Sequence, residues 1–171
     1  SLAYAKNIIQ ILDSKNINSK DKIINCIKIK YLSDTLGVIG YIIRPFLKYN
    51  YPVIIYNRGG RGNHGKIEDK TLAYLSYLSS FGYVIIASQY RGNDGGQGID
   101  EYGGKDINDV MRLIDIIKIL PYANSNNIGM LGFSRGGMMT YLSIKNKIDI
   151  KAAVVISAPC NLYSMHKNNK N

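Results

Sequence analysis

The sequence predicts an open α/β fold: a mostly parallel sheet with helices on both faces and a leading antiparallel pair of strands. Three observations predict it. Four short, nearly continuous apolar runs recur along the chain: "YPVIIYN" at 51–57, "YVIIASQY" at 83–90, "NIGMLGF" at 127–133 and "KAAVVIS" at 151–157. Strands buried on both faces of a parallel sheet read this way. Stretches of helical period separate the runs, and right-handed crossovers put such helices on both sides of the sheet. Glycine clusters follow the runs, at the carboxyl ends of the strands, where open α/β sheets gather their chemistry.

Each element can be justified in turn. Residues 1–13, "SLAYAKNIIQILD", suit a short amphipathic helix, with a connection reaching residue 20. "KIINCIKIKYLS" and "LGVIGYIIRP" alternate as two strands that turn near Asp34 and Gly37. The first parallel strand, 51–57, ends in the glycines of "NRGGRG". "TLAYLSYLSSFG" then sets Leu72, Leu75 and Leu78 at helical spacing and stops at Gly82. After the 83–90 strand, Ile107, Val110, Met111, Ile114 and Ile117 share one face of a helix over 106–120, and Pro121 stops it. The 127–133 strand leads into the helix "SRGGMMTYLSIK", and the 151–157 strand follows it. The polar end, 163–171, is expected to fray.

Composition bounds the function. A chain of 171 residues, 46% hydrophobic and 20% charged, makes one globular domain with a single core. No apolar stretch approaches membrane-span length, so no membrane partner is expected. No secretory leader is visible either. Two distant cysteines, Cys26 and Cys160, fit a reducing, cytoplasmic setting better than a disulfide scaffold. His64 and His166 sit in no ligand-spaced cluster, so no metal is expected. A net charge of +10 raises the question of nucleic acid. Its lysines are scattered and form no basic block, so the charge reads as a solvated surface with no nucleic-acid partner.

The chemistry-bearing motif is "GMLGFSRGGMM". It sets Ser134 between Gly132 and Gly136, in the pattern G-x-S-x-G, between a strand and a helix. That is the setting of a nucleophile elbow. Its turn is so tight that side chains two residues on either side of the serine would collide with their neighbours. The hydroxyl is exposed at the tip, and the following helix aims its positive N-terminus there. The bland alternative is a structural turn, because Gly and Ser fill loops of every kind. An acyl-transfer site also needs donors for an oxyanion. One is the backbone N–H of Arg135, and the other comes from Gly59 or Gly60 in "NRGGRG". Read alone, that loop fits a flexible or anion-binding segment equally well. Arg58, Arg61 and Arg91 raise acidic substrates, or else solvated or structural arginines.

"YNRGGRG", "SQYRGNDGGQG", "GGKDINDV" and "IGMLGFSRGGMMTYLS" occur in this order. Together they resemble the catalytic domain of the prolyl oligopeptidase (S9) family of α/β-hydrolases, from about Val38 to about Met165. The resemblance implies an α/β-hydrolase fold, Ser134 as nucleophile, and oxyanion donors at Gly60, with Gly59 beside it, and Arg135. It implies hydrolysis of a small peptide or ester through an acyl-enzyme, without metal or organic cofactor. The segment Tyr90 to Gly92 would be architectural. The family's acid and histidine follow later strands. Asp149 and His166, the Asp and His found after Ser134, do not match those positions, and neither does His64.

"AAVVIS" carries no charge and reads like an interior strand, yet it comes last. A bare apolar edge invites pairing. Either a further portion of sheet belongs beside it, the chain being the front of a longer hydrolase lacking its last strands, or another chain covers it, as in a homo-oligomer formed through this strand. Two functional readings follow. One is a serine hydrolase of the peptidase kind; the other is an incomplete hydrolase fold acting as a binding or assembly module.

Overall fold

The computed structural model describes residues 8–47 and 49–159, and in them seven strands form one sheet in the order β1-β2-β3-β5-β4-β6-β7. β1 (Ile9–Ser19), β2 (Lys22–Ser33) and β3 (Leu36–Pro45) make an antiparallel meander. β3 pairs antiparallel with β5 (Val84–Ser88), and β5, β4 (Tyr51–Asn57), β6 (Ala123–Phe133) and β7 (Ala152–Ile156) run parallel. Helices α1 (Asp69–Ser79), α2 (Ile107–Ile119) and α3 (Arg135–Lys145) connect the parallel strands.

One expectation is corrected. From Ile9 onward the supposed N-terminal helix is strand β1, so the leading pair is a three-stranded meander. Lys20 and Asp21 both have positive φ, 47° and 58°, and form the two-residue turn that folds β1 onto β2. β1 is exposed along nearly its whole length, so its sequence carries no clear alternation. Residues 1–7 and 163–171 lie outside the described residues.

The sheet separates two apolar clusters. On one face α1 sets Leu72 and Leu75 against Ile43, Tyr56, Ile85 and Ala87. On the other, α2 and α3 set Val110, Leu113, Ile116, Met138 and Met139 against Val53, Ile55, Ile86 and Met130. Successive residues of β4 and β5 serve opposite faces, as the two-residue period of a strand requires. Each buried Val, Leu or Ile contributes roughly 1.5–3 kcal/mol.

β7 is an edge strand of this sheet. Val155 faces α3, because a Cβ added to Gly137 would lie 2.6 Å from its Cγ1. Val154, on the opposite face, is 54% exposed. There a cavity of about 460 Å³ is lined by Pro52, Ile54, Leu78, Tyr83, Leu131 and Val154. α1 packs over β1, β2, β3 and β5. Among the described residues no helix is long and apolar enough to cross a membrane.

Candidate active site

Ser134 is the one residue between β6 and α3. Its φ of 50° and ψ of −121° are a conformation that non-glycine residues rarely adopt, worth about 1–3 kcal/mol of strain. Two backbone bonds hold it there. Its N–H donates to the Ile156 carbonyl at 2.8 Å, and its carbonyl accepts the Gly137 N–H at 2.8 Å. Ser134 itself is exposed.

The flanking glycines are needed for close approach of backbone to backbone. A Cβ on Gly132 would lie 2.4 Å from the Gly136 carbonyl oxygen, and one on Gly136 would lie 1.8 Å from that of Asn57. The head of α3 therefore rests directly on the end of β4. A polar stitch secures the contact: Asn57 Nδ2 donates to Thr140 Oγ1 at 2.9 Å, which donates to the Gly136 carbonyl at 2.9 Å.

The loop after β4 runs beside the serine. A Cβ on Gly59 would stand 3.4 Å from Ser134 Cβ and 3.1 Å from the Phe133 carbonyl oxygen. Gly60 has φ +73°, and a Cβ there would meet the His64 carbonyl oxygen at 2.0 Å, so the turn demands glycine. Ser134, Arg135, Gly59, Gly60, Gly132 and Gly136 are thus brought to one place.

Two arginines lie under this place with their side chains wholly buried. Arg58 donates through Nε and Nη2 to the Gln89 carbonyl at 3.2 and 2.9 Å. Its Nη1 reaches the Gly59 and His64 carbonyls at 3.0 and 3.3 Å, and its Nη2 reaches that of Gly62 at 3.2 Å. Arg135 Nη1 reaches the Gly60 carbonyl at 3.0 Å and Asp100 Oδ2 at 2.8 Å. Its Nη2 pairs with Asp100 Oδ1 at 2.7 Å and with Asp106 Oδ2. Both guanidiniums lie over the Tyr90 ring, that of Arg58 5.1 Å and that of Arg135 4.4 Å from its centre. Burial pushes the Asp100 carboxyl up, but hydrogen bonds from Arg135 and Asn93 overrule it and hold it well below the usual carboxylate range. Burial pulls the Arg58 guanidinium down from its ordinary value. Burial also pulls on Arg135, but its Asp100 bond wins and leaves it raised.

Burial favours the structural reading of Arg58 and Arg91 over one in which they face an acidic substrate. Arg58 is spent on carbonyls, and Arg91 on Asp109 and Asp34 at 2.8 and 2.7 Å. Arg61 is exposed and donates to the Asp100 carbonyl at 3.3 Å. Asp100 and Asp106 escaped sequence reasoning, although "GGKDINDV" holds one of them, because no local spacing ties either to residue 135.

Of the acid and base candidates, Asp149 and His64 fall among the described residues. Asp149 is exposed, pairs with Lys151 at 3.3 Å, and precedes β7 at the end of that strand remote from Ile156. His64 is exposed, and it is its carbonyl that Arg58 holds. His166 and Cys160 lie outside the described residues. Among the described residues no three His, Cys, Asp or Glu side chains are grouped to hold a metal ion.

Comparison with known proteins bears on this arrangement. Residues 70–170 match the model of the prolyl oligopeptidase family. The chain is 30% identical to the uncharacterized peptidase YtmA of Bacillus subtilis over 133 residues, which is 78% of this chain and 51% of that protein. It thus spans about half the length of this curated relative. Acetyl xylan esterase 1 from a Thermoanaerobacterium species has the same fold, with a TM-score of 0.65 at 12% identity over 98% of this chain and 60% of its own. The acylaminoacyl peptidase of Pyrococcus horikoshii superposes with a TM-score of 0.62 at 22% identity, over 92% of this chain and 24% of its own.

Proposed function

The chain belongs to the prolyl oligopeptidase family, and from that premise we propose that it is a serine hydrolase cleaving a small peptide or ester bond through an acyl-enzyme on Ser134. In the first step Ser134 Oγ adds to the acyl carbonyl carbon and the carbonyl oxygen takes up negative charge. The N–H groups of Arg135 and Gly60 receive that charge, helped by the N-terminus of α3. The leaving group departs with a proton, and water then releases the acyl group. In this reading Ser134 is the nucleophile and the N–H groups form the cradle, and a proton acceptor must accompany the serine.

One observation carries the reading: an exposed serine, strained at φ 50° on the head of a helix, with Gly59 packed against it. The test is a fluorophosphonate probe followed by peptide mapping. The expected result is an adduct on Ser134 that Ser134→Ala lacks. An adduct confined to other residues, or none, sinks the reading. Without a full triad the rate should still exceed that of water by roughly 10³–10⁴, from oxyanion stabilisation and binding.

The apolar cavity beside β7 favours a second reading, in which a second copy of this chain docks on that edge and the fold serves assembly. Sedimentation equilibrium decides it. A dimer is expected, and a monomer at tens of micromolar protein, an order of magnitude set by weak-interface affinities, excludes it.

A further inference from the structure

Glycines 59 and 60 have no side chains to define their own shape, and a loop of glycines loses the most entropy when held still. Oxyanion donors work only when they are aimed beforehand. Something else must therefore fix this loop. Resting on the reading of Ser134 and its neighbouring loop given above, we propose that Arg58 and Arg135 are positioning residues that clamp the oxyanion cradle from beneath.

The two guanidiniums take hold of consecutive carbonyls, Gly59 by Arg58 and Gly60 by Arg135, each at 3.0 Å. The Gly59 carbonyl and the Gly60 N–H belong to one peptide unit, and no peptide bond among the described residues is cis. A trans unit points its C=O and N–H in opposite directions. Tying the carbonyl down onto a guanidinium therefore turns the Gly60 N–H away from it. A charged donor on the carbonyl also polarises the same amide, which strengthens the N–H as a donor.

Each arginine is itself immobilised. All five N–H groups of Arg58 end on carbonyl oxygens, those of Gly59, Gly62, His64 and Gln89. Its charge faces carbonyls and the Tyr90 ring rather than a carboxylate, so a positive field remains beneath the loop. Arg135 is held as a two-pronged fork by Asp100 and by Asp106. Asp100 also accepts the Gly62 N–H at 3.3 Å, so it grips the loop a second time. Arg135 acts on both sides of the cradle: its main chain supplies one donor, and its side chain holds the carbonyl of Gly60, the residue that supplies the other.

The test uses the 171-residue chain and two variants. Arg58→Lys keeps the charge but loses the fork that spans four carbonyls; Asp100→Asn releases Arg135 should the first variant fail to fold. The rate of fluorophosphonate addition to Ser134 is measured against probe concentration, with circular dichroism confirming the fold. The expected result is a roughly tenfold or greater loss in the limiting rate with the half-saturating concentration unchanged, below the ~10²–10³ loss from deleting a donor outright. The Gly60 amide resonance, read by ¹H–¹⁵N correlation, should move while those of β1 and β2 stay. If wild-type Ser134 takes no probe, the nucleophile reading fails, and the Gly60 resonance alone decides the clamp. A folded variant that reacts at the wild-type rate, or a Gly60 resonance that stays in place, overturns the proposal.

Discussion

Strands β6 and β7 turn one face to α3, and among the described residues the other is covered only in part, by the packing of Leu131 and Phe133 under α1, so the two faces are held by different physics. On the α3 side, Gly132, Gly136 and Gly137 allow backbone-close packing, Met138 and Met139 are buried, and the ion pairs of Arg135 close the top. On the opposite side Leu131, Val154 and Tyr83 line a cavity of about 460 Å³. The first face is packed against α3 at β6 and half-buried at Val155 of β7. The second is an apolar wall whose covering would contribute about 25 cal/mol for each Å² removed from water. The turn that carries Ser134 is thus packed among the described residues, while the strand that anchors it through the Ile156 carbonyl is exposed along most of its length.

The largest expected effect breaks the closed face. Arg135→Met leaves Asp100 and Asp106 without their cation, one wholly buried and the other nearly so. Removing one partner of a buried ion pair costs about 3–5 kcal/mol, to be read from urea denaturation. A loss below about 1 kcal/mol, the range of exposed ion pairs, would show that packing alone closes this side.

Gly136→Ala tests the packing itself. The added Cβ would fall 1.8 Å from the Asn57 carbonyl oxygen, so α3 or β4 must move at a cost of about 1–3 kcal/mol or more. A drop in melting temperature measures it, and an unchanged one would mean the α3–β4 contact is loose.

Acid offers a gentler probe. The folded Asp100 carboxyl lies below its unfolded value of about 3.9. Its contribution is therefore fully present above that unfolded value and is lost as pH falls through the folded one. The stability difference between wild type and Asp100→Asn should be flat from neutral pH down to about pH 5 and shrink only below about pH 4, which follows from the same unfolded value. A difference that changes near neutrality would mean another group reports.

The smallest effect sharpens the open face. Val154→Lys places a charge on an already exposed edge position. Monomer stability should change by no more than about 0.5 kcal/mol. Any self-association through β7 should weaken, because an edge lysine resists strand pairing. Undiminished association on sedimentation would locate the contact elsewhere.

Legibility in the sequence followed the range of the constraint. β2, β3 and the parallel strands were readable because burial of one or both faces writes itself into alternation or into unbroken apolar runs. β1 was not, because a solvated edge imposes no pattern, and its pairing comes from a turn at Lys20 and Asp21 that could equally have capped a helix. Ser134 and its glycines were readable because the requirement is met within five consecutive residues. For Arg58 and Arg91 the sequence left a substrate-facing and a structural role open, because Gln89, Asp34 and Asp109, which help to claim them, lie far along the chain.

By itself, then, the sequence determined the strand and helix periods, the glycines that a sharp serine turn demands, and the family. The tertiary structure alone decided which charges were buried together, which carbonyls they hold, and which face of β7 is exposed among the described residues. The physical reason is that a period or a close turn is satisfied by neighbours in the chain. A buried charge is satisfied only by whatever the fold brings to it.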